Sequence, residues 1–555
     1  MPKMRGSQFI AKTLKTYGVT HVFLVPVILR ETMSELEDIG IEHIVTHSEK
    51  AAAYMADGYA RMKQAPGICM AQSVGAANLA AGLQDAYLGM SPVIAITGHS
   101  PFSNLHRNAY QEISHIQPFD AITKYSVHVE TPDQLPLYLR QAFRESISGT
   151  SLPVHLDLQG IRGEYIEEFD LNAEIIAEPD FTQRPSFRPE PEIDRILNVI
   201  KMISESSRPV IIAGGGVSYS KAQKELVEFA ELMSIPVATS MNAKGVIDEA
   251  HNLSLGVCGT YSRESANRAV AEADLVIFLG SQTGSQVTHF WQIPPQGTSV
   301  IQIDTNPSEI GRNYPGTYGV LSDVRAALRK LIELVEPISR TEWNERTSSI
   351  TNTWRNETFD LSNSKQTPIL PEALCHSINK TLPPNGVVVA DTGHAGIWTA
   401  SMMDLDGNDQ KFLRAAGSLG WGFPAALGAK CAAPERAVVC FTGDGGFWYH
   451  ISELETAVRY GINTITVVNN NKALSQNRRG DEVTYSRFGK DGGSLSDFSD
   501  IDFSKVAESM GAVGFRVTDP AQLDDTINKA LGLNRPVVID VVTDVEQMAP
   551  APWTP

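Results

Sequence analysis

The chain has 555 residues, ordinary apolar content and a formal net charge of −18. That length is too great for one core and suggests about three or four domains. The acidic balance argues against nucleic acid and anionic membrane as partners, and no apolar run reaches the ~18 residues expected of a membrane span.

The first segment, MPKMRGSQFIAKTLKTYG, is basic and lacks an apolar h-region. Phe9, Ile10, Leu14 and Tyr17 fall at helical spacing and Gly18 can end the helix, so it reads as a first helix rather than a signal peptide. Short β-branched runs then alternate with longer amphipathic stretches to the end of the chain. VTHVFLV, SPVIAITG, RPVIIAGGG, ADLVIFLG, NGVVVAD and RPVVIDVV are examples. Continuous apolar strands separated by helices predict an α/β protein of three doubly wound parallel-sheet domains. Polar stretches at 176–193 and 336–368 interrupt the rhythm and read as linkers, the second with a helix around Trp343 or Trp354. The expected domains are 1–175, 190–340 and 365–555. Cys69, Cys258, Cys375, Cys431 and Cys440 are scattered without a CxxC pair, which suits a reducing cytoplasm.

Four strings carry chemistry. In His47-Ser48-Glu49-Lys50-Ala51-Ala52, Glu49 follows a strand and opens an alanine-rich helix, where an acid ordinarily complements the helix dipole. Asp391-Thr392-Gly393-His394 lies at a strand end before a helix, and Ala416-Gly417-Ser418-Leu419-Gly420 is a glycine-rich strand-to-helix turn. Gly443-Asp444-Gly445-Gly446 ends another strand, and Asn471 follows after a helix-like stretch (450–460) and a strand-like one (465–468). Glycine admits a diphosphate close to the backbone, while Asp and Asn offer hard oxygen ligands. Mg2+ takes few protein ligands and completes its octahedron with phosphate oxygens and water. A lone GDG is a common turn; with Asn471 in place it points to a metal–diphosphate cofactor.

With these strings the chain resembles the acetolactate synthase-like thiamine diphosphate enzymes over its full length. The resemblance implies a pyrimidine-binding, a central and a diphosphate-binding domain, with thiamine diphosphate and Mg2+ as cofactors. It assigns the metal to Asp444, Asn471 and the backbone oxygen of Ala473. Gly393, His394, Gly443, Gly445, Gly446 and Leu474 would lie along the cofactor. Leu419, beside Gly417, would wedge between the two cofactor rings, and Glu49 would touch the aminopyrimidine. A carboxyl group there promotes the imino tautomer, whose exocyclic nitrogen removes the thiazolium proton, giving the ylide and later an enamine. Gly75 and Asn78 sit in a loop that matches the family string in part, and Pro26 and Val27 in a cofactor-facing turn. Gln111, within Tyr110-Gln111-Glu112, would face the reacting carbon and joins Glu49 as a catalytic candidate.

In that family the site lies between subunits, which implies a homodimer or dimer of dimers with Glu49 and Asp444 of one site on different chains. Two departures concern other ligands. The family's flavin-contacting R-F-D is replaced by Gly280-Ser281-Gln282-Thr283, leaving FAD, ADP or an empty central domain all open. After Asn471 come Gln476, Asn477, Arg478 and Arg479, read either as a polar, cationic substrate mouth or as a solvated basic loop. The implied activity is a C–C lyase or carboligase of the acetolactate synthase type acting on a 2-oxo acid. The alternatives are a 2-hydroxyacyl-CoA lyase or oxalyl-CoA decarboxylase-like enzyme acting on an acyl substrate and, more remotely, a catalytically idle cofactor-binding subunit.

Overall fold

The computed structural model describes residues 3–407 and 409–555. Three six-stranded sheets follow one another along the chain, each pairing within them parallel. The N-terminal sheet runs in spatial order Glu42–Val45, His21–Leu24, Gly67–Ala71, Val93–His99, Val154–Gln159, Tyr125–Val129. The central sheet runs Ser254–Val257, Val237–Thr239, Pro209–Ala213, Leu275–Leu279, Ser299–Asp304, Tyr318–Leu321. The C-terminal sheet runs Lys411–Arg414, Val387–Ala390, Val438–Gly443, Ile465–Asn470, Val537–Val542, Val513–Val517. The expected three parallel-sheet α/β units are therefore present.

Period-two alternation sends neighbouring strand residues to opposite faces, and both faces are buried. In the N-terminal sheet Phe23, Cys69 and Ala95 enter one core, while Val22, Ile68 and Ile94 enter another. The first of these cores also contains Val389, Cys440 and Val468 of the C-terminal sheet. The outer sheets thus share one apolar interior, with two helices lying between them. Helix Glu49–Lys63 is capped by Ser48, whose side chain accepts from the Ala51 N–H. Helix Gly422–Ala432 crosses it backbone to backbone. A Cβ at Gly58 would stand 2.1 Å from the Ala425 carbonyl oxygen, and one at Gly428 only 1.9 Å from that of Met55.

The segment 336–368 contains the helix expected around Trp343 or Trp354, and that helix fills most of it. The helix runs for 22 residues, Thr341–Ser362, anchored by buried Trp343, Thr347 and Ile350. Those three share one face at i, i+4, i+7, and the Trp343 indole donates to the Pro209 carbonyl at 3.0 Å. Only a narrow stripe is apolar, so composition alone looks like linker.

A second contact between the outer domains involves His450. Its ring meets Tyr54 edge-on with centroids 5.5 Å apart, and its Nε2 is buried with no hydrogen-bond partner among the described residues. Burial, helped by the nearby Lys50 ammonium, lowers its pKa to about 4.

Two expectations follow from this interface. Gly428→Ala overpacks the helix crossing and should cost about 1–3 kcal/mol, read as a clear fall in apparent Tm. Gly480→Ala, in helix Ser475–Ser486 with nothing near its added Cβ, should leave Tm equal or higher. His450 stays neutral in the fold, whereas the unfolded chain takes up that proton below its ordinary pKa near 6.5. Its contribution to stability is therefore lost as pH falls from about 6.5 toward 4. His450→Phe, which keeps an aromatic ring there, should show a smaller drop in Tm between those pH values than the native protein. An equal drop would remove His450 from the account.

Candidate active site

Ligands of open α/β sheets bind beyond the carboxyl ends of the strands, and the sequence candidates fall there in both outer domains. In the N-terminal sheet, Pro26 and Val27 follow His21–Leu24, Glu49 follows Glu42–Val45, Gly75 and Asn78 follow Gly67–Ala71, and Gln111 follows Val93–His99. These four strands are adjacent. The C-terminal sheet repeats the arrangement on four adjacent strands, with Gly393 and His394, Gly417 and Leu419, Gly443 to Gly446, and Asn471 to Leu474.

The N-terminal group closes around Glu49. Asn78 Nδ2 donates to its Oε2 at 3.0 Å, and any Cβ on Gly75 would lie 2.4 Å from its Oε1. Gln111 joins through its own loop: its side-chain oxygen accepts from the Val74 N–H at 3.3 Å, and its carbonyl accepts from Ser73 Oγ at 2.7 Å. Two backbones here are strained. Val27 has φ +90° and Gln111 has φ +58°, and for a β-branched residue such a value is a true outlier of the kind held at functional turns.

The C-terminal group lines a cleft of about 320 Å3 bounded by Gly393, His394, Gly417, Leu419, Gly443 to Gly446, Asn471 and Ala473 to Asn477. That volume suits a small-molecule site. Asp444 opens a short helix at the end of its strand and is 3% exposed. Lys472, at φ +62°, turns the chain sharply after the Asn triplet Asn469-Asn470-Asn471 and brings buried Ala473 to the cleft, where its N–H donates to Asn471 Oδ1 at 3.2 Å. Burial, partly offset by neighbouring N–H groups, pushes the Asp444 carboxyl up to about 7. A dication beside it would relieve that penalty. Asn469 also lines the cleft, and its Oδ1 is buried without a hydrogen-bond partner among the described residues. Gly443 and Gly417 have nothing within 4 Å of an added Cβ, so their backbones lie open to a ligand. This donor set fits a diphosphate held through a Mg2+ ion.

Leu419 is presented by a loop tied to the N-terminal domain of its own chain. The Asp85 carboxylate accepts from the N–H groups of Ala416 (2.8 Å), Gly417 (3.1 Å) and Ser418 (2.9 Å). Arg61 forms two hydrogen bonds with Asp57 at 2.8 and 2.6 Å, reaches Asp85 at 3.2 Å and donates to the Arg414 carbonyl at 2.7 Å. Burial alone would lower the Arg61 pKa, but the two carboxylates hold it above its ordinary value. The Trp421 indole donates to Asp57 at 2.9 Å and lies under the Arg61 cation. On the other side of the loop, Asp391 accepts from the Gly420 N–H at 3.1 Å and from Thr442 Oγ1 at 3.0 Å. Burial raises the Asp391 carboxyl to about 6.

Among the cleft residues that were not site candidates, three carry polar side chains with partners or positions of note. Tyr261 comes from the central domain, and its hydroxyl lies 3.5 Å from Gln476 Nε2. Ser475 Oγ lies 2.8 Å from His394 Nδ1, whose burial lowers the imidazole to about 4 and keeps it neutral. Asn469 belongs to the Asn triplet, but nothing in the sequence ranked it apart from its neighbours. The residues expected at a substrate mouth divide. Gln476 and Asn477 line the cleft, whereas Arg478 is turned to carboxylates: Glu546 at 3.0 Å, Glu482 at 3.2 Å and Asp497 at 3.7 Å. None of Pro26, Val27, Glu49, Gly75, Asn78 or Gln111 is among the residues bounding the C-terminal cleft. The structure gathers the candidates into two groups, each on its own sheet.

Comparison with known proteins bears on what those groups are. Residues 4–118, 196–331 and 391–541 match the sequence models of the N-terminal TPP binding domain, the central domain and the C-terminal TPP binding domain of thiamine pyrophosphate enzymes. The chain is 32% identical to a probable acetolactate synthase large subunit of Methanocaldococcus jannaschii, over 99% of this chain and 93% of that protein. It is 31% identical to an acetolactate synthase of Arthrospira platensis over 97% of this chain and 94% of the relative. A putative thiamine pyrophosphate-containing protein of Bacillus subtilis, YdaP, is 29% identical over 100% and 94%. With all three domains matched in order and the relatives covered nearly end to end, the chain belongs to the acetolactate synthase-like family of thiamine pyrophosphate enzymes.

Proposed function

We propose that the protein is a Mg2+- and thiamine diphosphate-dependent carboligase or decarboxylase of the acetolactate synthase type, acting on a 2-oxo acid. The observation that carries this reading is the pairing of two half-sites on one chain: a cleft with Asp444, Asn471, Ala473 and Leu419, and a separate carboxylate group around Glu49. The bound cofactor would supply a nucleophilic carbon and an electron sink for the carbanion left by C–C cleavage. Asp444, Asn471 and the Ala473 carbonyl would hold the ion, and Gly443, Gly445, Gly446, Gly393, His394 and Leu474 would flank the diphosphate. Glu49, oriented by Asn78, would hold or release a proton at the pyrimidine nitrogen, and Gln111 would orient the substrate carbonyl. Pro26 and Val27 would close the turn beside the ring, and Leu419 would set its angle to the thiazolium.

On the family resemblance, and with the Glu49 group absent from the residues bounding the Asp444 cleft, we place each complete site between two chains, in a homodimer or dimer of dimers. We assign the protein to the cytoplasm on its scattered cysteines. The acyl-CoA reading rested on a cationic mouth. With Arg478 engaged by three carboxylates, the observation that favoured it is weaker, and Gln476 and Asn477 remain as polar residues suited to a small acid. The central domain has a cavity of about 490 Å3 bounded in part by Arg188, Gly216, Gly280 and Asp304. The visible spectrum of the purified protein separates a flavin there from a colourless adenine nucleotide or an empty cavity.

Three measurements test the proposal. Pyruvate and other 2-oxo acids should be consumed with CO2 release and, for a carboligase, with retention of label in a longer hydroxy-oxo acid. Turnover of acyl-CoA alone would favour the alternative. Glu49→Gln should reduce kcat by about 100-fold or more, from the lower end upward of what a positioned acid–base group contributes, while cofactor still binds. Equal activity would refute its role. Asp444→Ala should abolish the Tm rise given by thiamine diphosphate plus Mg2+, and an unchanged rise would remove Asp444 from the metal site.

A further inference from the structure

Outside the two half-sites, the N-terminal domain contains a second cluster of ligating side chains. His99 ends strand Val93–His99, His128 lies on strand Tyr125–Val129, and Glu130 directly follows it. One ligand atom from each lies within 4.8 Å of the others. We propose that His99, His128 and Glu130 form a binding site for a borderline divalent transition metal of the Zn2+ or Co2+ class, separate from the Mg2+ site.

Unsatisfied chemistry concentrated at this point is the main argument. His99 Nε2, His128 Nδ1, Glu130 Oε2 and Asp157 Oδ2 are all buried with no hydrogen-bond partner among the described residues. Native folds rarely leave such atoms unpaired, and His99 Nε2 and Glu130 Oε2, which face one another, call for a common partner. These two do not satisfy each other. His99 Nε2 and Glu130 Oε2 are 3.9 Å apart, beyond hydrogen-bond range. His128 Nδ1 lies 3.1 Å from Asp157 Oδ2, within ion-pair range, and that carboxylate raises the His128 pKa, which leaves Nε2 as the nitrogen free to ligate.

The tautomer of His99 is also set for ligation. Its Nδ1 lies 2.9 Å from the Ser100 carbonyl, which can only accept, so Nδ1 carries the proton and Nε2 presents a lone pair. Metal-bound histidines are commonly oriented by a carbonyl or carboxylate on the other ring nitrogen. Asp157 supplies a carboxylate beside His128. It is itself held on its other oxygen by Thr97 Oγ1 at 2.6 Å and lies 3.1 Å from His115 Nδ1.

The site has a floor and an outer wall. His99 is 4% exposed, while Phe102 packs against both imidazoles with ring centroids 5.8 and 6.3 Å away. Two imidazoles and one carboxylate suit Zn2+ or Co2+, whereas Mg2+ and Ca2+ prefer all-oxygen sites. Closing three donors to about 2.0–2.2 Å from one ion needs side-chain movement of roughly an ångström, and leaves a position for water.

The test uses the full-length chain stripped of metal and titrated with Co2+ in a large excess of Mg2+, which occupies the oxygen-rich site. The expected result is one tightly held Co2+ per chain, with visible d–d bands, displaced by Zn2+ and retained in Asp444→Ala. His99→Ala and His128→Asn should each weaken Co2+ binding by at least the roughly 10–100-fold that losing even an outer-shell partner costs, with the thermal shift from thiamine diphosphate plus Mg2+ preserved. His128 has a side chain 32% exposed, so its variant reads the site even if the His99 variant fails to fold. The proposal is overturned if the native chain holds no stoichiometric Co2+ against Mg2+. It is also overturned if His128→Asn binds Co2+ as the native chain does.

Discussion

The buried contact of Arg61 with Asp57 and Asp85 is what the rest of the molecule depends on. Arg61 is 6% exposed and both acids are fully buried, so none of the three charges has water to fall back on. Removing one partner of such a group costs about 3–5 kcal/mol, because the remaining charges are stranded in the interior. The Asp85 carboxylate is shared between the cation and three backbone N–H groups of the loop carrying Leu419. Domain packing and the shape of the cofactor cleft therefore rest on the same ions.

The glycine crossing completes that constraint. Carbonyl oxygens of one helix occupy the places where side chains of the other would begin. Contact at this range fixes register and angle together, since packed interiors do not deform continuously. Tyr54, His450 and Glu453 extend the same seam, with Glu453 accepting from the His47 N–H just before Glu49. The acid proposed for catalysis thus begins from a backbone anchored on the C-terminal domain of its own chain.

Much of this was legible in the sequence because the relevant signals are local. The alternation of apolar strands with helices specifies three parallel sheets, and GDG with Asn471 lies on two adjacent strands whose ends must be neighbours. What escaped was what depends on long-range packing. Tyr261 reaches the cleft only because the central domain leans against it. The pairing of Arg478 with Glu546 joins residues at the two ends of the C-terminal domain's last portion, and no local pattern announces it. The helix around Trp343 and Trp354 was legible but its 22-residue extent was not, because three anchors suffice once a neighbouring surface exists. The seam through Gly58 and Gly428 was invisible for a similar reason: an alanine-rich helix and a glycine-rich turn each read as local features, and only their contact gives the glycines a purpose.

Helix Glu49–Lys63 rises about 1.5 Å per residue, so some 18 Å separates the carboxylate that opens it from the guanidinium near its end. In the proposed dimer these two ends serve different reaction centres. Glu49 reaches into the site completed by the other chain, while Arg61, with Asp57 and Asp85, braces the loop of the site in its own. One rigid strut thereby spans from each centre to the other, and its two ends cannot be altered independently.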